Sequence, residues 1–459
     1  MAQAGRPPLR LIFAGPRGRL LAAFLMAEFA ASMTGLSYAA VLPVAAAELD
    51  GLALYGLAVA LPGVVGIAFL ALGPYLYARI GPQAQLSLSS LVLVLGVCLS
   101  VAAPTMEVLV AGLALRGVAS GLMGGLGMGI LSELYPDAGE RERAFGLYAL
   151  MWVAPSLVGP VINGVLLATV GWRPSMAWPA VLILFARALI SYYLRRIPFD
   201  RPDAPGRVRG VGPLLAIAVG LLLAQVSIAT SEPGWVIGAI VLLGLVLVGP
   251  FRQALLVMVP TEPRTRAGGW VLTLICGGYF GVNSLVPLLA FTYIDATGVL
   301  GAVLVSLGPL AWALMSAGGL GARLSSRRIH RLAAASFPAA AAGVVAWALL
   351  PGMSAPAGAV VLGLVALLVG ITMGAVYPRV MTLAFEGFRG GNGTNRAHGG
   401  VVLGLSEDVG TASGVTLLAG TGGIAVGLGT GSVAILAGAF AVVLLAGWVI
   451  VSRSSLWDS

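Results

Sequence analysis

Glu28, Arg116, Arg187, Glu407 and Asp408 each stand inside a long run of apolar residues. That placement is a chemical statement. A charge held in hydrocarbon is costly and marks a place where something is bound or where a partner is held. A carboxylate in such a place can exchange a proton, because its proton affinity responds to burial and to neighbouring charge. A guanidinium can neutralise that carboxylate or hold an anion.

Depth follows from the helical rise of 1.5 Å per residue. Glu28 lies eight residues past Leu20, so ~12 Å in, and Arg116 lies ten past Met106, so ~15 Å in. In a hydrocarbon core ~30 Å thick both sit near the middle and can pair. Two readings of Glu28 stay open. It is a proton carrier controlled by conformation and by Arg116, or a static ion pair or solvated side chain. Asp408 lies nine residues past Gly399, ~14 Å deep. Neighbours on a helix point ~100° apart, so one of Glu407 and Asp408 is expected to face a cavity and the other to pack. Two close carboxylates titrate as a coupled pair. The alternative places both at the inner interface. Arg187, eleven residues past Met176 and ~16 Å deep, either binds an anionic substrate group or partners Glu407 or Asp408. Arg379, near the inner end of its run, is expected to snorkel to the interface.

The elements that hold these residues are membrane spans. Hydrophobic residues make up 59% of the 459-residue chain and charged residues 9%, which excludes a soluble or disordered protein. Apolar runs of spanning length fall at 20–46, 53–77, 85–103, 106–134, 144–170, 174–194, 211–230, 234–250, 268–293, 298–320, 332–351, 355–384, 399–423 and 430–451. They are continuous rather than alternating, so a closed barrel is excluded. About fourteen helices remain, which satisfy their backbone groups internally as lipid demands. The first run follows Arg6, Arg10, Arg17 and Arg19 but is too long for a signal peptide. It reads as an uncleaved first helix.

The net charge of +9 comes from 26 basic and 17 acidic residues, and every basic one is Arg. With the N-terminus inside, the arginines crowd the inner loops. Arg173 alone falls on an outer loop, and Arg116, Arg187 and Arg379 fall within spans. The positive-inside rule therefore places both termini in the cytoplasm of a multi-pass protein of the plasma (inner) membrane. It also accounts for the basic balance without a nucleic-acid partner.

Residues 195–210, rich in Arg, Asp and Pro, read as a cytoplasmic linker. The expected organisation is all-α: an N-terminal six-helix bundle (1–194), the linker, an inserted helical hairpin with its connecting segment (211–267), and a C-terminal six-helix bundle (268–459). The second helix of the hairpin is short and is expected to end at Pro250. The bundles share a weak internal repeat. Leu76-Tyr77-Ala78-Arg79-Ile80-Gly81 and Leu320-Gly321-Ala322-Arg323-Leu324-Ser325 both follow the second helix of a six-helix set. Paired bundles around a midplane site are a transporter architecture.

Three stretches carry a resemblance to the major facilitator superfamily. Ala154-Pro155-Ser156-Leu157-Val158-Gly159-Pro160-Val161-Ile162-Asn163-Gly164 resembles its antiporter motif, with Asn163 where Gly is usual. Arg116-Gly117-Val118-Ala119-Ser120-Gly121 is similar to its buried-Arg motif, with Ala119 for Gln. Ala78-Arg79-Ile80-Gly81-Pro82 resembles its signature loop, with Ala78 in place of the Asp. With about fourteen spans, the chain resembles the fourteen-helix drug:proton antiporter branch. The resemblance implies a role for Pro155, Gly159, Pro160 and Gly164 in shaping the bundle interface and limiting proton leak. It implies a conformational lock at Arg79 and Gly81, here weakened or built differently without the Asp.

Physically, the prolines of the fifth span bend it. Gly117, Gly121, Gly125 and Gly129 make one smooth stripe suited to close helix packing. Phe24, Phe29, Tyr38, Trp152, Tyr279, Phe280 and Trp312 are candidates to line a cavity. Tyr192 and Tyr193 read as interface anchors. The sequence has neither a phosphate-binding Gly loop with Lys nor a nucleophile triad, and its two Cys and two His do not form a metal pattern. The expectation is a monomeric, cofactor-free, non-enzymatic, proton-coupled exporter of amphipathic small molecules by alternating access. A proton-coupled importer, a lipid or lipid-linked substrate translocase and a non-transporting receptor are the alternatives. Midplane carboxylates favour a cationic or zwitterionic substrate, and the arginines keep an anionic one open.

Overall fold

The computed structural model describes residues 9–70, 72–123, 130, 134–135, 140, 144, 147, 151, 153–196, 211–230, 232–258, 262–296, 298–317, 328, 331, 350–386 and 393–428. A short turn at Leu9–Ile12 leads into α1 (Gly15–Glu48). A 3-10 turn at Leu52–Leu54 opens α2 (Tyr55–Leu70). Then come α3 (Leu72–Val101), α4 (Met106–Met123), α5 (Val153–Val170) and α6 (Trp172–Leu194). These six pack on one another as a first bundle. The second bundle is built from α10 (Pro263–Ile294), α11 (Gly298–Ala317), α12 (Ala355–Glu386) and α13 (Gly393–Leu428). Between them in sequence stand α7 (Val211–Ala229), α8 (Pro233–Val246) and α9 (Arg252–Met258). Nine helical stretches among the described residues are long and apolar enough to cross a membrane. The chain is an all-α, multi-pass membrane protein made of two helical bundles and an inserted hairpin. The expected linker after Arg196, the span at 332–351 except its last residues, the span at 430–451 and the repeat at 320–325 lie outside the described residues.

One expectation needs correcting. The hairpin's second helix does not stop at Pro250. A π turn at Leu247–Phe251 carries the chain past the proline into α9, so the apolar stretch runs Gly234–Met258, 25 residues. Pro250 lacks an N–H and its ring would collide with an ordinary helical carbonyl. Widening one turn absorbs both faults without ending the helix.

Gly81 sits inside α3 at φ 78 and ψ 167, a left-handed position that breaks the segment in two. Only glycine takes that conformation without strain. Pro82 directly after it suits the first turn of the new helix. This is the turn that the signature-loop residues Arg79 and Gly81 occupy. Arg79 is exposed and donates to the Tyr75 hydroxyl at 2.6 Å.

The described part of the glycine stripe packs α4 on α2. A Cβ at Gly117 would come 2.5 Å from the Pro62 carbonyl oxygen, and one at Gly121 would come 2.4 Å from that of Gly66. Gly125 and Gly129 lie outside the described residues.

The bundles meet along α2–α13 and α5–α11. We call the end where α1 finishes distal and the end where it starts proximal. One shared apolar core joins the bundles. The first bundle's share of it is Tyr38–Ala46 of α1, Tyr55–Leu61 of α2, Met106–Leu113 of α4, and Trp172 and Met176 of α6. All of these are distal. The first bundle's proximal core (Ile12, Leu20, Leu21, Phe24, Leu86, Tyr135, Leu194) includes no described residue of the second bundle. Two contacts seal the distal end. Tyr55 donates from its hydroxyl to the Ser284 carbonyl at 2.8 Å. A Cβ on Gly56 would come 2.2 Å from the Gly420 Cα. The molecule is therefore closed distally, and its described cores part proximally.

Candidate functional site

Glu28 and Glu407 come from opposite bundles, on α1 and α13. Both are half-buried, and they are close enough for the charge of one to act on the other. Glu407 is positioned by α12: the Tyr377 hydroxyl donates to Glu407 Oε2 at 2.7 Å. Asp408, one residue on, is exposed and lies within electrostatic reach of Glu407. The buried Cys276 thiol of α10 lies within electrostatic reach of both. Glu28 and Glu407 thus approach from the two bundles, with Asp408 beside Glu407 on the same helix. An exposed carboxylate at this depth requires water rather than lipid beside it.

The α13 helix reaches this position because its glycines let it press against α10. A Cβ at Gly410 would come 2.1 Å from the Thr273 carbonyl oxygen, and one at Gly414 would come 2.0 Å from that of Gly277. Thr273 adds a 2.9 Å hydrogen bond to the Ser406 carbonyl, directly before the acidic pair.

The structure places the arginines elsewhere. Arg116 lies over the Tyr38 ring, 3.9 Å from its centroid. Tyr38 is fixed by donating to the Met176 carbonyl at 2.8 Å. Arg187 projects from α6 toward α3, where Nη1 meets the Ser89 and Ser90 hydroxyls at 3.4 Å. It sits within the first bundle, away from the α13 acidic pair. Arg379 is half-buried on α12.

The antiporter-motif helix α5 lies on the bundle interface against α11. Pro155, Gly159 and Gly164 are buried, while the side chain of Pro160 is not described. Asn163, which replaces the usual glycine, is buried and accepts a hydrogen bond from Trp178 Nε1 of α6. It ties α5 to its own bundle.

An aromatic cluster stands beside Glu407. Tyr279 packs edge-to-face on Phe280 and Trp312, with centroids 5.0 and 5.2 Å away. Trp312 does the same with Tyr377 at 5.5 Å. The sequence put Tyr279, Phe280 and Trp312 among many candidate aromatics but missed Tyr377. The available signal was its depth: nine residues from Glu386, Tyr377 is ~14 Å from the end of α12, far from the interface belt where tyrosines gather.

Outside the spans, Glu48 at the distal end of α1 has its carboxyl below the ordinary carboxylate range. The nearby Trp172 indole is the main cause, and the hydrogen bond and charge of Arg173 add to it. Arg173 pairs with it at 2.9 Å and also donates to the Ala103 carbonyl. At the proximal end, burial pushes the Tyr135 phenol up to about 12, against the opposing Arg17 charge.

Comparison with known proteins gives a consistent picture. The family model described as Major Facilitator Superfamily matches residues 20–428. The chain is 26% identical over 368 residues to a probable multidrug-efflux transporter of Mycobacterium tuberculosis (strain ATCC 25618 / H37Rv), covering 75% of each. It is 32% identical over 168 residues to the methylenomycin A resistance protein of Bacillus subtilis (strain 168). That match spans 37% of this chain and 35% of the relative, about a third of the relative's length. Among solved structures, a peptide transporter POT in complex with sulfate superposes with a TM-score of 0.67 at 17% identity, covering 96% of both chains.

Proposed function

From the premise that the chain belongs to the Major Facilitator Superfamily, we propose that it exports amphipathic small molecules in exchange for protons. The bundles rock about the midplane and expose one central site to each side in turn. Glu28, Glu407 and Asp408 are the proton-coupling residues. Arg116 and Arg187 are charge partners or substrate contacts, with Arg116 set by its seat on Tyr38. The observation that carries this reading is the approach of Glu28 and Glu407 from opposite bundles. Two like charges facing each other across a moving interface repel, and a proton on either removes the repulsion. Proton binding and bundle approach are thereby linked. A substrate cation placed between them would act in the same direction and compete with the proton, which is what exchange requires.

The relatives support the direction of transport, since their names describe multidrug efflux and antibiotic resistance. On this reading the protein is a monomer in the plasma (inner) membrane and not an enzyme, with the proximal end and both termini cytoplasmic. The described state is then inward-facing. Units 1–194, 195–210, 211–267 and 268–459 act as first bundle, linker, hairpin segment and second bundle. Pro155, Gly159, Pro160 and Gly164 shape the seam with α11, and Arg79 and Gly81 form the turn that limits opening.

The test is proton movement in sealed vesicles holding the purified protein, read by a pH-sensitive dye. A cationic amphiphile should release protons from an acidic lumen, and Glu28→Gln or Asp408→Asn should not respond. Proton movement by no compound in a panel of cations, neutrals and anions, with the protein folded and inserted, would overturn the coupling.

A further inference from the structure

The aromatic cluster has more structure than side-chain packing in a membrane requires. Four rings from three helices of one bundle meet edge-to-face: Tyr279 and Phe280 on α10, Trp312 on α11 and Tyr377 on α12. Their centroids are 5.0–5.9 Å apart. Phe280, Trp312 and Tyr377 are each half-buried, so part of every ring remains reachable. The Tyr279 hydroxyl is the opposite: the residue is 3% exposed and its oxygen has no hydrogen-bond partner among the described residues. A buried hydroxyl without a partner carries an uncompensated desolvation cost, which phenylalanine would avoid. A small recess bounded by Gly278, Tyr279 and Met373 adjoins it. At the cluster's other end Tyr377 holds Glu407 at 2.7 Å, with Glu28 and Asp408 within electrostatic reach of that carboxylate.

We propose that Tyr279, Phe280, Trp312 and Tyr377, with Glu407 at their edge, form a binding site for a flat organic cation. Ring faces carry negative electrostatic potential and attract a cation, Trp most strongly. Edge-to-face rings present both faces and edges, so a planar guest finds stacking and T-shaped contacts together. The carboxylates supply the counter-charge. An anion would meet three like charges there, while Arg116 is seated over Tyr38 and Arg187 against two serines. The unmatched Tyr279 hydroxyl offers the guest a hydrogen bond. All four rings belong to the second bundle, so that bundle carries the ligand and the first contributes Glu28. The proposal deepens the export reading and rests on it for the direction of transport.

The experiment is equilibrium binding of ethidium to the purified full chain in detergent, without a proton gradient. A neutral polycyclic amide and anionic fluorescein serve as comparators. Wild type should bind ethidium in preference to both. Trp312→Ala should weaken ethidium binding about tenfold, within the range expected of a cation–π contact at a desolvated site. Trp312→Phe should retain most of the affinity. Glu407→Gln should lose the preference for ethidium over the neutral compound while still binding the latter. Leu314→Ala, on the same helix but pointing outward at 62% exposure, should bind as wild type. Unchanged ethidium affinity in Trp312→Ala, or an unchanged cation preference in Glu407→Gln, would overturn the proposal. Because the second criterion uses a different residue, a Trp312 variant that fails to fold leaves the proposal falsifiable. Ethidium binding as expected with no proton movement sinks the exchange and keeps the site. Proton movement with unaltered binding in both variants sinks the site and keeps the exchange.

Discussion

The two seams between the bundles are built differently. Along α2–α13 the backbones come into direct contact at Gly56 and Gly420, and the Tyr55 hydroxyl bridges to α10 close by. The hairpin covers the same seam: Val64 and Ile67 of α2 share an apolar cluster with Ile217 and Leu221 of α7 and with Val402 and Val409 of α13. The Gln225 side chain of α7 donates to the Thr416 hydroxyl of α13 at 2.8 Å. Along α5–α11 no described residue shares the hairpin's apolar cluster, and Asn163 of α5 is fastened to its own bundle. The first seam is thus a glycine contact under a cover, and the second is one bundle's helix held from behind. Close approach of small residues favours a tight closed state, since lipid provides little drive of its own for helices to associate.

Gly56→Val is the hardest blow to that contrast. Its added Cβ would run into the backbone of Gly420 and Ala419, which has no flexible side chain to give way, so the distal end should fail to close. Overpacking costs about 1–3 kcal/mol, which moves the closed population by roughly 5- to 150-fold. Labelling of a cysteine placed at Ser284 by a membrane-impermeant thiol reagent from the distal side should rise accordingly, and transport should collapse. Unchanged labelling would mean the glycine contact does not govern closure. Asn163→Ala probes the other seam. It leaves Trp178 Nε1 without its acceptor and should cost about 1–3 kcal/mol of stability, seen as a lower melting temperature. Distal labelling should stay at the wild-type level, because both partners lie in one bundle.

Tyr55→Phe removes one bridging hydrogen bond, worth about 1 kcal/mol net. Distal labelling should rise about fivefold, in the direction of Gly56→Val but less. Glu48→Gln should have the smallest effect. Glu48 titrates below its ordinary value, so its contribution is complete above the unfolded-state pKa and is lost as pH falls through the folded one. Wild type and variant should therefore differ by a small, constant amount from pH 7 to pH 5 and converge only below about pH 4. A difference that grows between pH 7 and 5 would contradict this assignment.

Much of this architecture could be read in advance. The spans follow from run length, because each bilayer crossing needs its own apolar stretch. The turn at Gly81 was legible because a Gly-Pro pair punctuates an otherwise helical pattern. The α4 glycine stripe gave the close packing, though only its partner α2 made the contact concrete. The continuation past Pro250 was not legible, since proline also ends helices and the choice rests on what packs around it. The site was legible by type and not by pairing. Depth picked out Glu28, Arg116, Asp408 and Arg187, but depth gives no azimuth. The expected Glu28–Arg116 pairing rested on equal depth alone; azimuth is what brings Arg116 over the Tyr38 ring and Glu28 within electrostatic reach of Glu407. Tyr377 and Glu407 are thirty residues apart, and only tertiary packing brings such partners together.

The hairpin's contacts are lopsided in one further way. It is hydrogen-bonded to α13 through Gln225 and Thr416, while toward α2 its shared cluster offers only greasy surfaces such as Val64 and Ile67. On the rocking proposed above, the Gln225–Thr416 bond would tie the hairpin to the second bundle and leave an apolar face toward the first, like a shutter hinged on one door leaf. Set over the α2–α13 seam, the hairpin stands between it and the acyl chains of the surrounding bilayer. Among the described residues the hairpin's apolar cluster does not reach α5 or α11, so that flank is where a guest dissolved in the membrane would arrive sideways.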